Sequence, residues 1–149
     1  MRAIVTGGAG FIGSNLVDYL VARGDKVVIV DNLSTGRIEN LNRKAEFFNC
    51  DITDYYQAKS AFKFGADCVF HVAALPKVVF SFKYPLLTDR VNVGGTLNVL
   101  ALCARFGIPR LVYSSSSSIY GNQKTFPLHE DLLVYPMSPY GMQKFMAEQ

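Results

Sequence analysis

The sequence predicts an α/β protein built on a doubly wound parallel sheet of about five strands. Three observations predict it. Short runs rich in β-branched residues alternate with stretches of helical spacing along the whole 149-residue chain. The strand runs are apolar throughout rather than alternating, as suits strands covered on both faces. A glycine-rich turn also separates the first strand run from the first helical stretch.

"RAIVT" is the first strand. "GFIGSNLVDYLVARG" follows as a helix, with Phe11, Ile12, Leu16 and Leu20 at helical spacing and Gly24 as its stop. "KVVIVD" and "AEFFNCD" are the second and third strands. "DYYQAKSAFK" is a helix capped by Thr53 or Asp54, and "DCVFHVA" is the fourth strand. A long helix is expected from about Pro85 to Arg105, ended by Gly107 and Pro109. "RLVYSSS" is the fifth strand, and a loop then leads to a final helix beginning near Pro139. Right-handed crossovers join the parallel strands. The reading treats residues 1–149 as one domain, without repeat or linker.

Composition narrows the function classes. The chain is 50% apolar and 18% charged with a net charge of +3, which is ordinary globular composition. Its basic residues are scattered, so no nucleic-acid or membrane patch is expected. No apolar run reaches membrane-spanning length. Cys50, Cys68 and Cys103 lie in apolar surroundings at no metal-ligand spacing. Reduced thiols, a cytoplasmic location and no metal site are the expectation.

"TGGAGFIG" places Gly7, Gly10 and Gly13 three apart between strand and helix. Gly7 permits the tight turn, Gly10 lets backbone N–H groups approach a pyrophosphate, and Gly13 lets the helix pack on the strand. The helix N-terminus then faces the phosphate with its partial positive charge. Asp31 ends the second strand about 20 residues on, where an acid binds the adenosine ribose hydroxyls. Asp31 repels a 2′-phosphate, so NAD is favoured over NADP, with Arg37 as a softening influence.

A tyrosine and a lysine four apart meet on a helix and can act as a proton-transfer pair. Three such pairs occur: Tyr55 with Lys59, Tyr120 with Lys124, and Tyr140 with Lys144. Gly121 and Asn122 read as a turn, which separates the second pair. The first pair follows the third strand, toward the adenine side. Only Tyr140 and Lys144 follow the serine-bearing fifth strand, near the reactive end of a cofactor. A free phenol titrates near ~10, so a base working near neutral pH needs about 4 kcal/mol of help for its phenolate. A lysine ammonium and an oxidised nicotinamide both supply it. Ser116 is placed to orient the same substrate hydroxyl.

Together these residues resemble the extended short-chain dehydrogenase/reductase family of nucleotide-sugar epimerases and dehydratases. The matching elements run in order: "TGGAGFIG", "DNLSTG", "CDITD", "HVAA", "VNVGGTLNVL", "YSSSSSIYG" and "YGMQK". The resemblance implies a Rossmann-type sheet. It implies NAD contacts from Gly7, Gly10, Phe11, Ile12, Gly13, Asp31, Asn32, Ser34, Thr35, Gly36, Asp51, Ile52, Ala73, Tyr140 and Lys144. It implies Ser116, Tyr140 and Lys144 as the catalytic set. The related 4,6-dehydratases carry an Asp–Glu pair where this chain has Ser117 and Ser118. That favours an epimerase, with the 4-epimerases of UDP-glucose and UDP-galactose as the best-fitting subclass and a UDP-sugar as substrate.

Members of the family continue beyond this length into a substrate domain, so the chain is expected to be their amino-terminal half, with its fifth strand at an exposed edge. Whether it acts as an enzyme alone is therefore open. A non-catalytic NAD-binding fragment, one subunit of a split enzyme completed by a separate carboxyl-half chain, and a dehydratase or reductase are the alternatives. The family also implies a homodimer through the helices at about 85–105 and 139–149, with Leu97, Leu100, Leu102 and Phe106 as apolar surface.

Overall fold

A computed structural model describes residues 1–149. Strands β1 (Arg2–Thr6), β2 (Lys26–Asp31), β3 (Glu46–Asn49), β4 (Cys68–His71) and β5 (Leu111–Tyr113) are joined by helices α1 (Phe11–Ala22), α2 (Tyr55–Phe62), α3 (Val78–Lys83), α4 (Pro85–Asp89), α5 (Gly95–Arg105) and α6 (Pro139–Glu148). The chain divides into two compact units. The first comprises residues 1–73 and 95–114, the second residues 74–94 and 115–149.

The first unit is the sheet with α1, α2 and α5. Its strands are all parallel, in the order β3-β2-β1-β4-β5. The chain winds outward from β1 to β3, then returns to β4 on the other side of β1. Strand order therefore reverses between β1 and β4, where doubly wound sheets open a crevice at the carboxyl ends. Thr6 is in register with both Val30 and His71, so β1 and β4 end level at that crevice and β2 runs one residue further, to Asp31. Successive residues of a strand point to opposite faces. Ala3 and Val5 pack with Val27, Ile29, Val17 and Leu20, whereas Ile4 packs with Val30, Val69, Phe62, Val99 and Leu102. Both faces being covered, the strands read as unbroken apolar runs. Burying each of the larger side chains contributes ~1.5–3 kcal/mol. β3 and β5 form the two edges, and Val112 on β5 is exposed.

Caps explain where the helices start. Asp54 caps α2 by accepting from the Tyr56 and Gln57 amides, both at 3.0 Å, which settles the choice between Thr53 and Asp54. Ser138 caps α6 by accepting from the Gly141 amide at 3.0 Å, with Pro139 at the first helical position.

The second unit is α3, α4 and α6 with a single 3₁₀ turn over Ser117–Ile119. Here the expected long helix needs correction. α3 precedes it, and the run from Pro85 to Arg105 is interrupted by a π-helical turn over Arg90–Gly94. A π turn takes one extra residue into the helix and recurs at functional sites. Within this turn Asn92 is buried. No helix of the protein is long and apolar enough to cross a membrane.

Candidate functional site

In the first unit the glycine turn opens α1. The Gly7 amide donates to the Val30 carbonyl at 2.8 Å, and the Gly10 amide to the Gly7 carbonyl at 3.1 Å. Gly7 has φ +72°, and a Cβ there would come within 2.7 Å of the Ala73 amide nitrogen. A Cβ at Gly13 would collide with the Gly7 carbonyl oxygen. These two glycines are therefore demanded by the turn. A Cβ at Gly10 would meet only the Gly7 carbonyl oxygen, at 3.3 Å. Gly10 has no side chain to cap α1, and the first turn holds no acidic residue. Phe11 and Ile12 are 85% and 63% exposed. An uncapped, accessible helix N-terminus on a glycine turn fits the pyrophosphate of a dinucleotide.

Asp31 closes β2 and is buried. Its Oδ2 accepts from the Ala9 amide at 3.0 Å and its Oδ1 from the Leu33 amide at 2.8 Å. Ala9 also accepts from the Arg37 amide at 3.0 Å and from Asn40 Nδ2 at 2.9 Å. The glycine turn and the loop after β2 are thus held together through Ala9. Gly36 permits this approach, since a Cβ there would lie 2.8 Å from Ala9 Cβ and 3.0 Å from Asp31 Oδ1. Ser34 and Thr35 are exposed. Asn32 Nδ2 donates to Asp51 Oδ2 at 3.0 Å, and the Thr53 amide donates to Asp51 Oδ1 at 2.8 Å. Ile52 is buried against Gly95. At the crevice, His71 is bonded through both ring nitrogens, Nδ1 to Thr6 Oγ1 at 2.6 Å and Nε2 to Thr96 Oγ1 at 2.9 Å. Thr6 Oγ1 also accepts from the Ala73 amide at 3.3 Å, so this cluster ties Ala73 to the end of β1.

The second unit holds the hydroxyl and amine chemistry. Tyr140 and Lys144 lie one helical turn apart on α6 and are 7% and 3% exposed. Ser116 precedes the 3₁₀ turn, and its Oγ accepts from the Ser118 amide at 3.1 Å. A Cβ at Gly141 would lie 2.6 Å from the Ser118 carbonyl oxygen, so glycine lets α6 approach the serine turn. The Tyr140 amide donates to Ser81 Oγ at 3.1 Å. Burial pushes Lys144 down from 10.5 to about 8, against the opposing charge of Glu148. A buried amine with a lowered pKa is a frequent mark of a functional site. Of the three Tyr/Lys pairs, only this one has both members buried. Lys124 is exposed beyond the 3₁₀ turn, and Tyr55 and Lys59 lie on α2 in the first unit.

The cofactor-contact positions read from the sequence therefore group in the first unit, apart from Tyr140 and Lys144. Those two and Ser116 group in the second. Four further residues stand out only in the structure: His71, Ser81, Asn92 and Gln143 are buried and bonded. "HVAA" and "VNVGGT" hint at the first and third, but nothing in the sequence marks Ser81 or Gln143.

A profile of the NAD dependent epimerase/dehydratase family matches residues 3–149. A UDP-glucose 4-epimerase of Mycolicibacterium smegmatis is 41% identical, over 99% of this chain and 49% of its own length. A UDP-glucose 4-epimerase of Thermotoga maritima, solved with UDP-glucose, superposes with a TM-score of 0.96 at 40% identity, over 99% of this chain and 49% of its own. The Thermus thermophilus UDP-glucose 4-epimerase, solved with NAD, superposes with a TM-score of 0.95 at 40% identity and the same coverage. The chain spans about half the length of the curated relatives it matches.

Proposed function

The chain belongs to the NAD-dependent epimerase/dehydratase family, and from that membership we propose that it carries the NAD site and the proton-transfer residues of a UDP-sugar 4-epimerase. NAD, when bound, would supply a reversible hydride acceptor for C4 of the sugar. The observation that carries the reading is the burial of Tyr140 and Lys144 together on α6.

Tyr140 takes the proton of the sugar hydroxyl and later gives it back. Ser116 hydrogen-bonds that hydroxyl and orients it. An ammonium at Lys144 stabilises the phenolate oxygen, and with a pKa of about 8 it stays charged at neutral pH. Gly10, Phe11 and Ile12 supply backbone N–H groups for the pyrophosphate. Asp31 would bond the adenosine ribose, with Asn32, Ser34, Thr35 and Gly36 along its loop and with Asp51 and Ile52 as further cofactor contacts. Ala73 offers a small surface to the nicotinamide side. A carboxylate at Asp31 disfavours a 2′-phosphate, which supports NAD over NADP. Ser117 and Ser118 supply no carboxylate for elimination of water, which supports epimerisation over dehydration.

The test has two parts. Purified protein is denatured and the supernatant analysed for dinucleotide by mass spectrometry, with an NAD titration on protein stripped of cofactor. Absence of both released NAD and a titration response defeats the proposal. Interconversion of UDP-galactose and UDP-glucose is then assayed on the same protein. NAD binding without turnover favours a second reading, in which this chain binds cofactor and a carboxyl-half chain completes the enzyme.

A further inference from the structure

Gln143 lies between Tyr140 and Lys144 in the sequence and is 4% exposed. A primary amide that deep in a protein is tolerated only when its donors and acceptor are met. Gln143 Oε1 accepts from Asn92 Nδ2 at 3.0 Å. Its Nε2 donates to Thr88 Oγ1 at 3.0 Å and to the Pro85 carbonyl at 3.4 Å.

The sense of this chain of bonds is fixed from outside. Asn92 Oδ1 accepts from the Leu75 amide at 2.8 Å, and Asn92 Nδ2 donates to the Leu75 carbonyl at 3.2 Å. The backbone of Leu75 therefore sets which end of the Asn92 amide is which. What Asn92 offers Gln143 is a donor, so Gln143 answers with its oxygen. Its NH₂ group then faces Thr88. The Thr88 hydroxyl donates to the Pro85 and Tyr84 carbonyls at 3.0 and 3.2 Å, which leaves its oxygen free to accept. A reversed amide would set donor against donor.

A second anchor sits three residues back. The Tyr140 amide donates to Ser81 Oγ, whose own proton goes to the Val78 carbonyl at 2.6 Å. Two anchors three residues apart are separated by ~4.5 Å along a helix axis. One anchor stops a helix from sliding, and two also stop it from turning. An apolar side chain of equal volume would fill the space without choosing a rotation, whereas a directed polar network chooses one.

We propose that Gln143 is a positioning residue whose amide, held by Asn92 and Thr88, sets the rotation of α6 and so the directions of Tyr140 and Lys144. The inference rests on the role assigned to that pair above, but its test needs neither cofactor nor turnover.

The full chain is compared with Gln143→Met, which keeps length and loses the bonds, and with Gln143→Glu. Two quantities are read on folded protein. The first is amide exchange of residues 139–149, normalised to the intrinsic rate at each pH. The second is the pH midpoint for acetylation of Lys144 relative to exposed Lys124, read by mass spectrometry. Glu148 is the charged neighbour that acts on Lys144, and it is unchanged in both variants. In Gln143→Met, exchange in α6 rises by about tenfold or more, and the Lys144 midpoint moves up from about 8 toward the ordinary lysine value of 10.5. The Gln143→Glu side chain, when protonated, offers one acceptor and one donor as glutamine does. Its exchange returns to the parent rate as pH falls and rises once the carboxyl ionises. Parent exchange and a parent Lys144 midpoint in folded Gln143→Met overturn the proposal. Should that variant fail to fold, parent-like exchange in Gln143→Glu at every pH overturns it instead. If Tyr140→Phe leaves turnover intact, the catalytic reading fails while these readouts stand.

Discussion

Lys144 sits at 3% exposure with a pKa of about 8, so folding works against its charge. The unfolded lysine keeps its proton up to about 10.5. Between those values the unfolded chain binds the extra proton, so the Lys144 contribution to stability rises with pH across that window. Below it, the cost of burying the ammonium is felt in full, about 3 kcal/mol. Lys144→Met is therefore expected to stabilise the protein at pH 7 by ~1–3 kcal/mol, with an advantage that shrinks between pH 8 and 10.5. Urea unfolding of both proteins across that range checks it, and an advantage constant with pH would contradict it. A residue kept at such a cost is expected to work. On the proposed function, Tyr140→Phe lowers whatever epimerase turnover the protein shows at least about 100-fold while leaving NAD affinity within about threefold. Steady-state kinetics and an NAD titration on one preparation decide that. At this scale the sequence exposes residues whose role is written in backbone constraint or in spacing. Gly7 and Gly13 belong to the first kind, Asp31, Tyr140 and Lys144 to the second. It hides residues whose meaning lies in a distant partner. Gln143 and Asn92 are 51 positions apart, and His71 and Thr6 are 65 apart. An amide or an imidazole with no local partner reads as surface until the fold brings its partner in.

The turn into α1 separates two demands that a glycine pattern merges. Gly13→Ala drives a methyl group into the Gly7 carbonyl and should cost at least ~2 kcal/mol. Gly10→Ala meets only one atom at 3.3 Å, with φ at −79°, and should change stability by less than about 1 kcal/mol. At the proposed cofactor site its methyl group would stand where the pyrophosphate approaches, so NAD affinity should fall at least about tenfold. Thermal unfolding with NAD titration separates the two, and equal effects of both substitutions on stability and affinity would refute the distinction. The strands and α1, α2 and α6 were legible because each carries its own punctuation: apolar runs, a capping Asp54 or Ser138, a closing glycine. The segment from Lys77 to Tyr84 and the turn over Arg90–Gly94 were not. The apolar stretch "VVFSFK" fits strand and helix alike, and α3 takes its form within the second unit. A π turn has no side-chain signature either. Arg90–Gly94 continues a helical pattern by composition, and within it Asn92 is buried.

Across the molecule, apolar surface and thiols are unevenly shared. Leu97 and Leu100 on α5 are exposed, as are Met142 and Met146 on α6 and Leu86 on α4. Of Leu97, Leu100, Leu102 and Phe106, which could serve a subunit contact or the core, Leu102 is buried in the core with Val99 and Phe62, and Phe106 packs beside it. The exposed leucines and methionines are the apolar side chains left to the homodimer expected from the sequence. Sedimentation velocity should show dimer at micromolar concentration and a shift toward monomer in Leu97→Lys with Met146→Lys. Monomer alone in the parent protein would reject the idea. The cysteines tell a different story. Cys50, Cys68 and Cys103 are all buried, and all three belong to the first unit. Burial raises the thiols of Cys50 and Cys103 to about 11, so little thiolate forms at neutral pH. A thiol reagent can then mark a molecule only while its sheet unit is open. The protein thus carries three built-in clocks for the breathing of one unit, silent about the other, and NAD should slow them only to the extent that it closes the first.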